Sequence, residues 1–391
     1  MERCADMKSS SRNQLVIVGS MFLLLFFSVL ALGVAPQSPR KQREKGDPVL
    51  GHRIAKGVVL DGKLWLRGTD ISRKGGPGDL ISLSLTDDSR AVHFQRGVVD
   101  IEKSGHDLWV LRQVAPDIHE FVVSIWRSGR FEDLARFTST DKDEPIVLLN
   151  SAGGPSVLSH DSLRVLSEGH HEWQLIALKG QLRWGVQVSV ASPRSGKTIY
   201  VGVNRGEWGG GLQRVNVQTG VVTNVERRDT KDLCGGPLNS DCDPVTGVIS
   251  DPQKDDCVLA AVGLVHLSIS KGQILRVCGD RVTPIAEKPA TGGIGGKMKM
   301  TEAFYGLAPA GDSCFWGITW RALYRFAVDG KLEREYPLPK LKPVSGVYLS
   351  RELPGVIVVR TDVNWAVSTS GYTPLLVPLE DAQTQGETSP R

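Results

Sequence analysis

Beyond residue 54, short apolar or alternating runs recur along the chain, each broken by Gly, Asp, Asn or Ser, and helical periodicity is almost absent. A period of two marks β-strands, and the turn formers between the runs mark hairpins. The runs group in fours. GVQVSVA, TIYVGVN, LQRVNV and VVTNVE form one group over 185–226. FYGLAPA, CFWGIT, ALYRFAV and KLEREY form another over 304–336. In each group a tight turn joins the last two strands, through Gln218-Thr219-Gly220 or Asp329-Gly330, residues that tolerate positive φ.

Similar units begin at Gly57, Val98, Pro145, Val245 and Val344, the third being the least regular. The seventh reads VSGVYLS, VIVVRT, WAVSTS and TPLLVP, expected as its first to fourth strands. A four-stranded repeat of roughly 40 to 50 residues predicts an all-β chain. One small twisted sheet cannot bury both faces, whereas sheets stacked around an axis can, and closing the ring removes most exposed edges. The expectation is a seven-bladed β-propeller over 55–380, behind an N-terminal hydrophobic segment at 1–35 and a basic linker at 36–54, with a disordered tail at 381–391. Six or eight blades also fit the length.

ASPRSGKT, residues 191–198, has the spacing of a loose phosphate-binding loop. Such a loop needs a helix directly after its lysine, so that helix N-terminus and loop amides meet the phosphates. Here the strand run TIYVGV follows instead. The stretch therefore reads as a turn between the first and second strands of the fourth unit, on the face away from a propeller's usual ligand site.

Charge adds little. Forty-seven Lys and Arg against 43 Asp and Glu give a net +4, and no nucleic-acid partner is expected. The uncharged run LVIVGSMFLLLFFSVLALGVA at 15–35 follows Lys8 and Arg12 and reads as a signal peptide or single membrane anchor. The predicted location is exported, periplasmic or extracellular, and tethered if the run is not cut. Arg40, Lys41, Arg43 and Lys45 oppose export, leaving a cytosolic domain on an N-out anchor as the other topology.

No cysteine pair has zinc-site spacing. If Cys257–Val262 pairs antiparallel with Gln273–Cys278 in symmetric register, Cys257 faces Cys278 within bridging range. Cys234 and Cys242 flank GGPLNSD and could close a short loop; either pair could instead be buried thiols in a cytosolic domain. Cys314, on CFWGIT, is expected as a core thiol.

The chain resembles exported bacterial β-propellers with degenerate blades, of the kind found in two-component-regulator sensors. The resemblance rests on the Gly-Leu after a second strand, as in Ala261-Val262-Gly263-Leu264, and on Asp-X-X-Gly phrases. It covers the architecture of 55–380 and implies no catalytic residues; WD and kelch signatures are absent.

Loops elaborated on one face supply the candidate chemistry. Asn204-Arg205-Gly206-Glu207-Trp208-Gly209-Gly210-Gly211 offers glycines for close backbone approach, a charge pair in Arg205 and Glu207, and the Trp208 ring for stacking on a sugar or peptide. The bland alternative packs Trp208 on the next unit. The connector 226–244, the expected loop Gly263–Gly272 with His266, the Gly-rich stretch Ala290–Met300, and Trp320 with Arg321 lie on the same face. These features predict a non-catalytic recognition or scaffold module whose ligand is a peptide, glycan or protein held by the loops of units four to six, with no cofactor. The alternative is a hydrolase or lyase with a divalent metal at the axis, drawing on groups such as Asp70, Asp117, His119, Glu120, His160, Asp161 and Asp362. His170-His171-Glu172 reads as a polar turn, because adjacent side chains point apart.

Overall fold

The computed structural model describes residues 52–379, except 71–76, 88, 116–117, 141–142, 152, 167–171, 186, 230, 232–233, 267–268, 291–299, 339–345, 350–352, 354 and 363–371. The hydrophobic run at 15–35, the linker up to residue 51 and the tail beyond 379 lie outside the described residues. Among the described residues no helix is long and apolar enough to cross a membrane.

The first unit contains β1 (His52–Leu60), β2 (Lys63–Asp70), β3 (Gly78–Ser84) and the first half of β4 (Arg90–Ser104). The second half of β4 opens the next unit, followed by β5 (Asp107–Ala115), β6 (Ile118–Arg127) and β7 (Arg130–Thr138). The third unit is β8 (Pro145–Ser151), β9 (Gly154–Ser159), β10 (Ser162–Val165) and β11 (Gln174–Ala177). The fourth is β12 (Gln187–Ala191), β13 (Thr198–Asn204), β14 (Gly210–Asn216) and β15 (Val222–Val225). The fifth is β16 (Val245–Ser250), β17 (Cys257–His266), β18 (Ile269–Cys278) and β19 (Arg281–Ala286). The sixth is β20 (Gly306–Pro309), β21 (Cys314–Ile318), β22 (Ala322–Ala327) and β23 (Leu332–Pro337). The seventh holds β24 (Gly346–Leu349), β25 (Val356–Asp362) and β26 (Tyr372–Pro378). Strands pair antiparallel in chain order; among the described residues they form one seven-stranded, four four-stranded and one three-stranded sheet, the four-stranded ones consistent with propeller blades.

Three details differ from the sequence reading. Residues 52–54, expected in the linker, already belong to β1 and pair with Gly68, Thr69 and Asp70. Units one and two are one seven-stranded sheet, because β4 serves both. Its corner is Arg96, at φ 54, whose backbone N–H donates to Asp79 Oδ1 at 2.8 Å. In the seventh unit β26, the TPLLVP strand, pairs directly with β25, from Val356 opposite Pro378 to Asp362 opposite Tyr372. It therefore takes the third position, not the fourth, and WAVSTS lies outside the described residues.

Burial grades outward within a unit. The first seven residues of β17 are all buried, whereas β23 is exposed at its first four positions. A strand buried on both faces carries the continuous apolar run CVLAAVG, and one facing water carries LERE. The apolar cores lie between units. Val58, Leu60, Trp65 and Leu80 meet Val98, Ile101, Leu108 and Val110 of the second unit. Leu259, Ala261 and Ile274 meet Phe304, Phe315 and Phe326 of the sixth. The last unit packs on the first, with Ile357, Val359 and Val377 against Ile54, Leu64 and Leu66. Each such Leu, Ile or Phe stabilises by about 1.5–3 kcal/mol on transfer from water, so neighbouring sheets depend on one another.

Ala191 ends β12 and Thr198 starts β13, so a strand and no helix follows Lys197. The turn between them is bound to the matching turn of unit five: the Ser195 N–H donates to Asp255 O at 3.1 Å, and Arg194 Nη2 to Pro252 O at 2.7 Å.

Cys257 and Cys278 sit opposite each other at the end of the β17–β18 ladder, with Cα atoms 4.4 Å apart, and are disulfide-bonded. Cys314 is fully buried on β21, but no described cysteine is a free thiol, which corrects the core-thiol expectation. The bridge spans a separation of 21 residues. A loop of that size confines the unfolded chain enough to stabilise the fold by about 3 kcal/mol. Replacing both cysteines by Ala is expected to lower the urea midpoint accordingly, and an unmoved midpoint would contradict it.

Candidate binding face

The connection from β13 to β14 is built by backbone constraints. Asn204 Oδ1 accepts from the Gly206 N–H at 2.8 Å, starting a 3-10 turn over Gly206–Trp208. The Trp208 N–H donates to Arg205 O at 3.3 Å, and the Arg205 N–H to Gly209 O at 2.9 Å. The three glycines after Trp208 all have positive φ; Gly209 and Gly211 lie hard against the connector from unit four to unit five, and Gly210 against Val203 of its own hairpin. A Cβ on Gly209 would stand 2.5 Å from Ser240 O, and one on Gly211 would stand 2.6 Å from Ser240 Cβ. Gly210 and Gly211 donate to Ser240 O and Asp243 O, each at 2.9 Å. These glycines therefore permit close approach of the protein's own connector, not of a ligand as the sequence suggested.

That connector is rigidly held. Cys234 and Cys242 are disulfide-bonded, with Cα atoms 5.4 Å apart. Asn239 is fully buried; its N–H donates to Asp243 Oδ2 at 2.8 Å and its carbonyl accepts the Asp243 N–H at 2.7 Å. Lys271 Nζ lies 2.7 Å from Asp243 Oδ1. Burial pushes the Asp243 carboxyl above its ordinary range, against the pull of Lys271. Glu226 is placed the opposite way: burial works to raise it, but the Ser240 hydroxyl and Arg228 together hold it below its usual range. Arg228 also reaches Asp241 at 2.9 Å, and Arg227 reaches Asp229 at 2.8 Å. Each described carboxylate of the connector thus has a cationic partner.

The side chains singled out in the sequence are placed unequally. Glu207 is paired with His266 Nδ1, joining the tips of units four and five on one edge. The region Gly263–Gly272 is not an open loop: β17 and β18 pair out to His266 opposite Ile269. Arg205 is exposed, and its guanidinium makes no hydrogen bond or ion pair among the described residues. Trp208 is 71% exposed, on a turn that lies beside β17 of the next unit. Trp320 stands edge-on to Tyr305, with centroids 5.1 Å apart, and the Arg321 carbonyl accepts the Leu338 N–H at 2.7 Å. Burial raises the Tyr305 hydroxyl above its ordinary value.

The Gly-rich stretch is clasped at its base, where the Ala290 N–H donates to Met300 O at 3.0 Å; its glycines lie outside the described residues. Of the groups considered for an axial metal, Glu120 pairs with Arg136 at 3.2 Å and His160 packs on Trp184 at 4.7 Å. Asp117 lies outside the described residues, as do His170 and His171 of the polar turn. Among the described residues no group of three or more His, Cys, Asp or Glu is placed to hold a metal ion.

Sequence reasoning missed Lys271, Asp243 and Val265. Asp243 had only its position beside Cys242 to mark it, and Val265 looked like an ordinary strand residue. The described exposed large apolar side chains fall into two sets. Val114, Ile118, Trp208, Val265 and Trp320 lie where second strands run into third strands, on the strand ends or the turns between them, in units two, four, five and six. Val92, Leu175, Val221 and Leu332 lie on or beside fourth strands.

No protein-family model matches the chain. No curated protein matches it either. Among solved structures it is similar to the extracellular domain of the putative hybrid two component system BT4673 from B. thetaiotaomicron, at 13% identity and TM-score 0.46, over 83% of this chain and 38% of that one. The chain therefore spans about two fifths of the length of that relative. It is also similar to a chain of the Mitotic Checkpoint Complex, at 12% identity and TM-score 0.44, over 81% and 91% of the two chains. A third similar structure is Chaetomium thermophilum Sqt1 bound to the N-terminus of the ribosomal protein L10, at 13% identity and TM-score 0.45, over 80% and 83%.

Proposed function

We propose that the chain is a seven-bladed β-propeller acting as a non-catalytic recognition or scaffold module, with its ligand face on the second-to-third-strand connections of blades four to six. Seven units in chain order, with the last packed on the first, support the blade number. The observation that carries the function is Trp208, a large aromatic side chain 71% exposed on a turn whose backbone is fixed from both sides. Leaving a Trp in water has a cost, and a rigid exposed aromatic is the usual centre of a binding hot spot. The module is exported, and the Cys234–Cys242 and Cys257–Cys278 disulfides support an oxidising compartment. The uncut 15–35 segment would tether it to a membrane.

Trp208→Ala tests the reading. Because the side chain is 71% exposed, the unfolding free energy should stay within about 0.5 kcal/mol of wild type. Ligands selected on the wild type from a glycan array and a displayed peptide library should lose roughly thirtyfold or more in affinity. Undiminished binding of all of them would remove this face from the proposal.

A further inference from the structure

Units one and two meet in a cluster of aromatic rings that carries one cation and sits beside a titratable group. Trp65 of β2 is fully buried there, and Trp126 of β6 and Phe131 of β7 close on it, with centroids 5.0 and 6.0 Å away. His93 of β4, half-buried, enters the same cluster, 4.7 Å from Trp65, 5.7 Å from Trp126 and 5.8 Å from Phe131. A bulge puts it there. Leu80 faces Phe94 and Ile81 faces Val92, so His93 has no partner on β3 and is turned to the Phe131 ring together with Phe94. The Lys63 ammonium lies over Trp65 and Trp126, at 5.8 and 5.6 Å from their centroids. The cluster sits at the end of the strands where β1 turns into β2 and β6 into β7, opposite the second-to-third-strand connections, so it is independent of the binding face.

We infer that His93 is an acid-sensitive latch at this seam: on taking up a proton it displaces the Lys63 ammonium from the two indoles, and the contact between units one and two loosens. An indole face attracts a cation, and Trp65 and Trp126 each lie beside both groups. While the imidazole is neutral, Lys63 has those faces to itself. A second cation there is repelled by the first, in a partly buried place that water screens poorly. Burial, and after it the Lys63 charge, hold the His93 imidazole below its ordinary range. The carboxylates of the surrounding strands are committed elsewhere: Asp79 of β3 to His52, Glu120 of β6 to Arg136, Glu132 of β7 to Arg130, and Asp133 of β7 to Arg112 of β5. The other charges nearby are cations: Arg90 and Arg96 flank His93 on β4, Arg112 lies over Phe94, and Arg127 of β6 is paired with Asp107. His93 Nε2 has only the Ser82 hydroxyl, at 2.8 Å. The protonated ring therefore finds aromatic faces and no counter-charge, and the faces are already taken.

Tryptophan emission of the full chain, followed from pH 8 to pH 4 in the wild type, His93→Gln and Lys63→Met, tests this, each variant first being shown to unfold cooperatively in urea at pH 8. An imidazolium quenches an indole that it touches. The wild type should lose emission in a step centred below about pH 6.5, His93→Gln should lack that step, and Lys63→Met should show it at higher pH. Added salt should raise the wild-type midpoint, and raise that of Lys63→Met less. Because the unfolded chain takes up this proton first, the stability that His93 contributes is complete above about pH 6.5 and is lost as pH falls through the folded value. The urea midpoint should accordingly fall further on acidification in the wild type than in His93→Gln. A step kept by His93→Gln, a midpoint unmoved or lowered in Lys63→Met, or no step in the wild type would each overturn the inference. If His93→Gln does not fold, the imidazole proton shifts of the wild type and Lys63→Met, followed by NMR, give the same comparison.

Discussion

Gly263→Ala is expected to destabilise the fold by about 4 kcal/mol or more, placing it among the most damaging single methyl additions available to this chain. Gly263 on β17 faces Gly272 on β18, and the pair leaves a smooth slot between the two strands. The backbone of Glu302–Phe304 lies in that slot as the chain passes from unit five to unit six. A Cβ on Gly263 would stand 1.8 Å from Phe304 O, and one on Gly272 would stand 1.8 Å from Glu302 O. No rotamer can relieve either contact, because both partners are main chain. Nor can the crossing segment move away freely. Phe304 O accepts from the Thr246 hydroxyl at 2.7 Å, and Gly272 N–H donates to Thr301 Oγ1 at 2.8 Å. The fully buried Phe304 ring lies among Tyr324 and Phe326, with centroids 6.2 and 6.1 Å away. Equilibrium urea unfolding gives the comparison. A variant with wild-type midpoint would mean that the crossing segment is free to lift away, and would refute the slot.

The second large effect belongs to Asp251, a fully buried carboxylate at the turn after β16. Its Oδ1 accepts the backbone N–H groups of Gln253 and Lys254, at 2.9 and 3.2 Å, which shapes the turn. Its Oδ2 accepts Arg276 Nε at 2.5 Å. The same guanidinium donates through Nη2 to Val328 O in the next unit, at 2.6 Å. Asp251 therefore positions an arginine that ties unit five to unit six. Asp251→Ala should cost about 3–5 kcal/mol, because it strands a largely buried guanidinium and two turn amides together. Asp251→Asn keeps an oxygen for the turn but removes the charge opposite Arg276, and should fall between wild type and Ala. Equal unfolding free energies for Ala and wild type would show that water replaces the carboxylate at no loss.

Much of this architecture could be read from the chain because strands buried on both faces leave continuous apolar runs, and the turns between them need Gly, Asp or Asn. The same period exposed ASPRSGKT as a turn and set Cys257 opposite Cys278, since register in a tight hairpin follows from counting outward from its middle. What could not be read depends on contacts between distant segments. Gly263 and Gly272 looked like loop residues, yet they sit in paired strands because another stretch of backbone presses on them. Gly209 to Gly211 looked like a ligand cradle for the same reason. TPLLVP counts as a fourth strand by its place in the repeat, and only its pairing with β25 shows that it is third. The face was legible through Trp208 and the elaborated connectors, whereas the clasp of Glu207 by His266 was not, since nothing local links residues 59 positions apart in two hairpin tips.

The long strand β4 has a consequence for how the molecule is assembled. Its first half is the outer strand of the first unit and its second half the inner strand of the next, so both units of the seven-stranded sheet depend on one strand. The outer border of the first unit and the inner border of the second therefore arrive together, on the same stretch of chain. Displacing that stretch disturbs two units at once, whereas each strand of units three to six serves a single sheet.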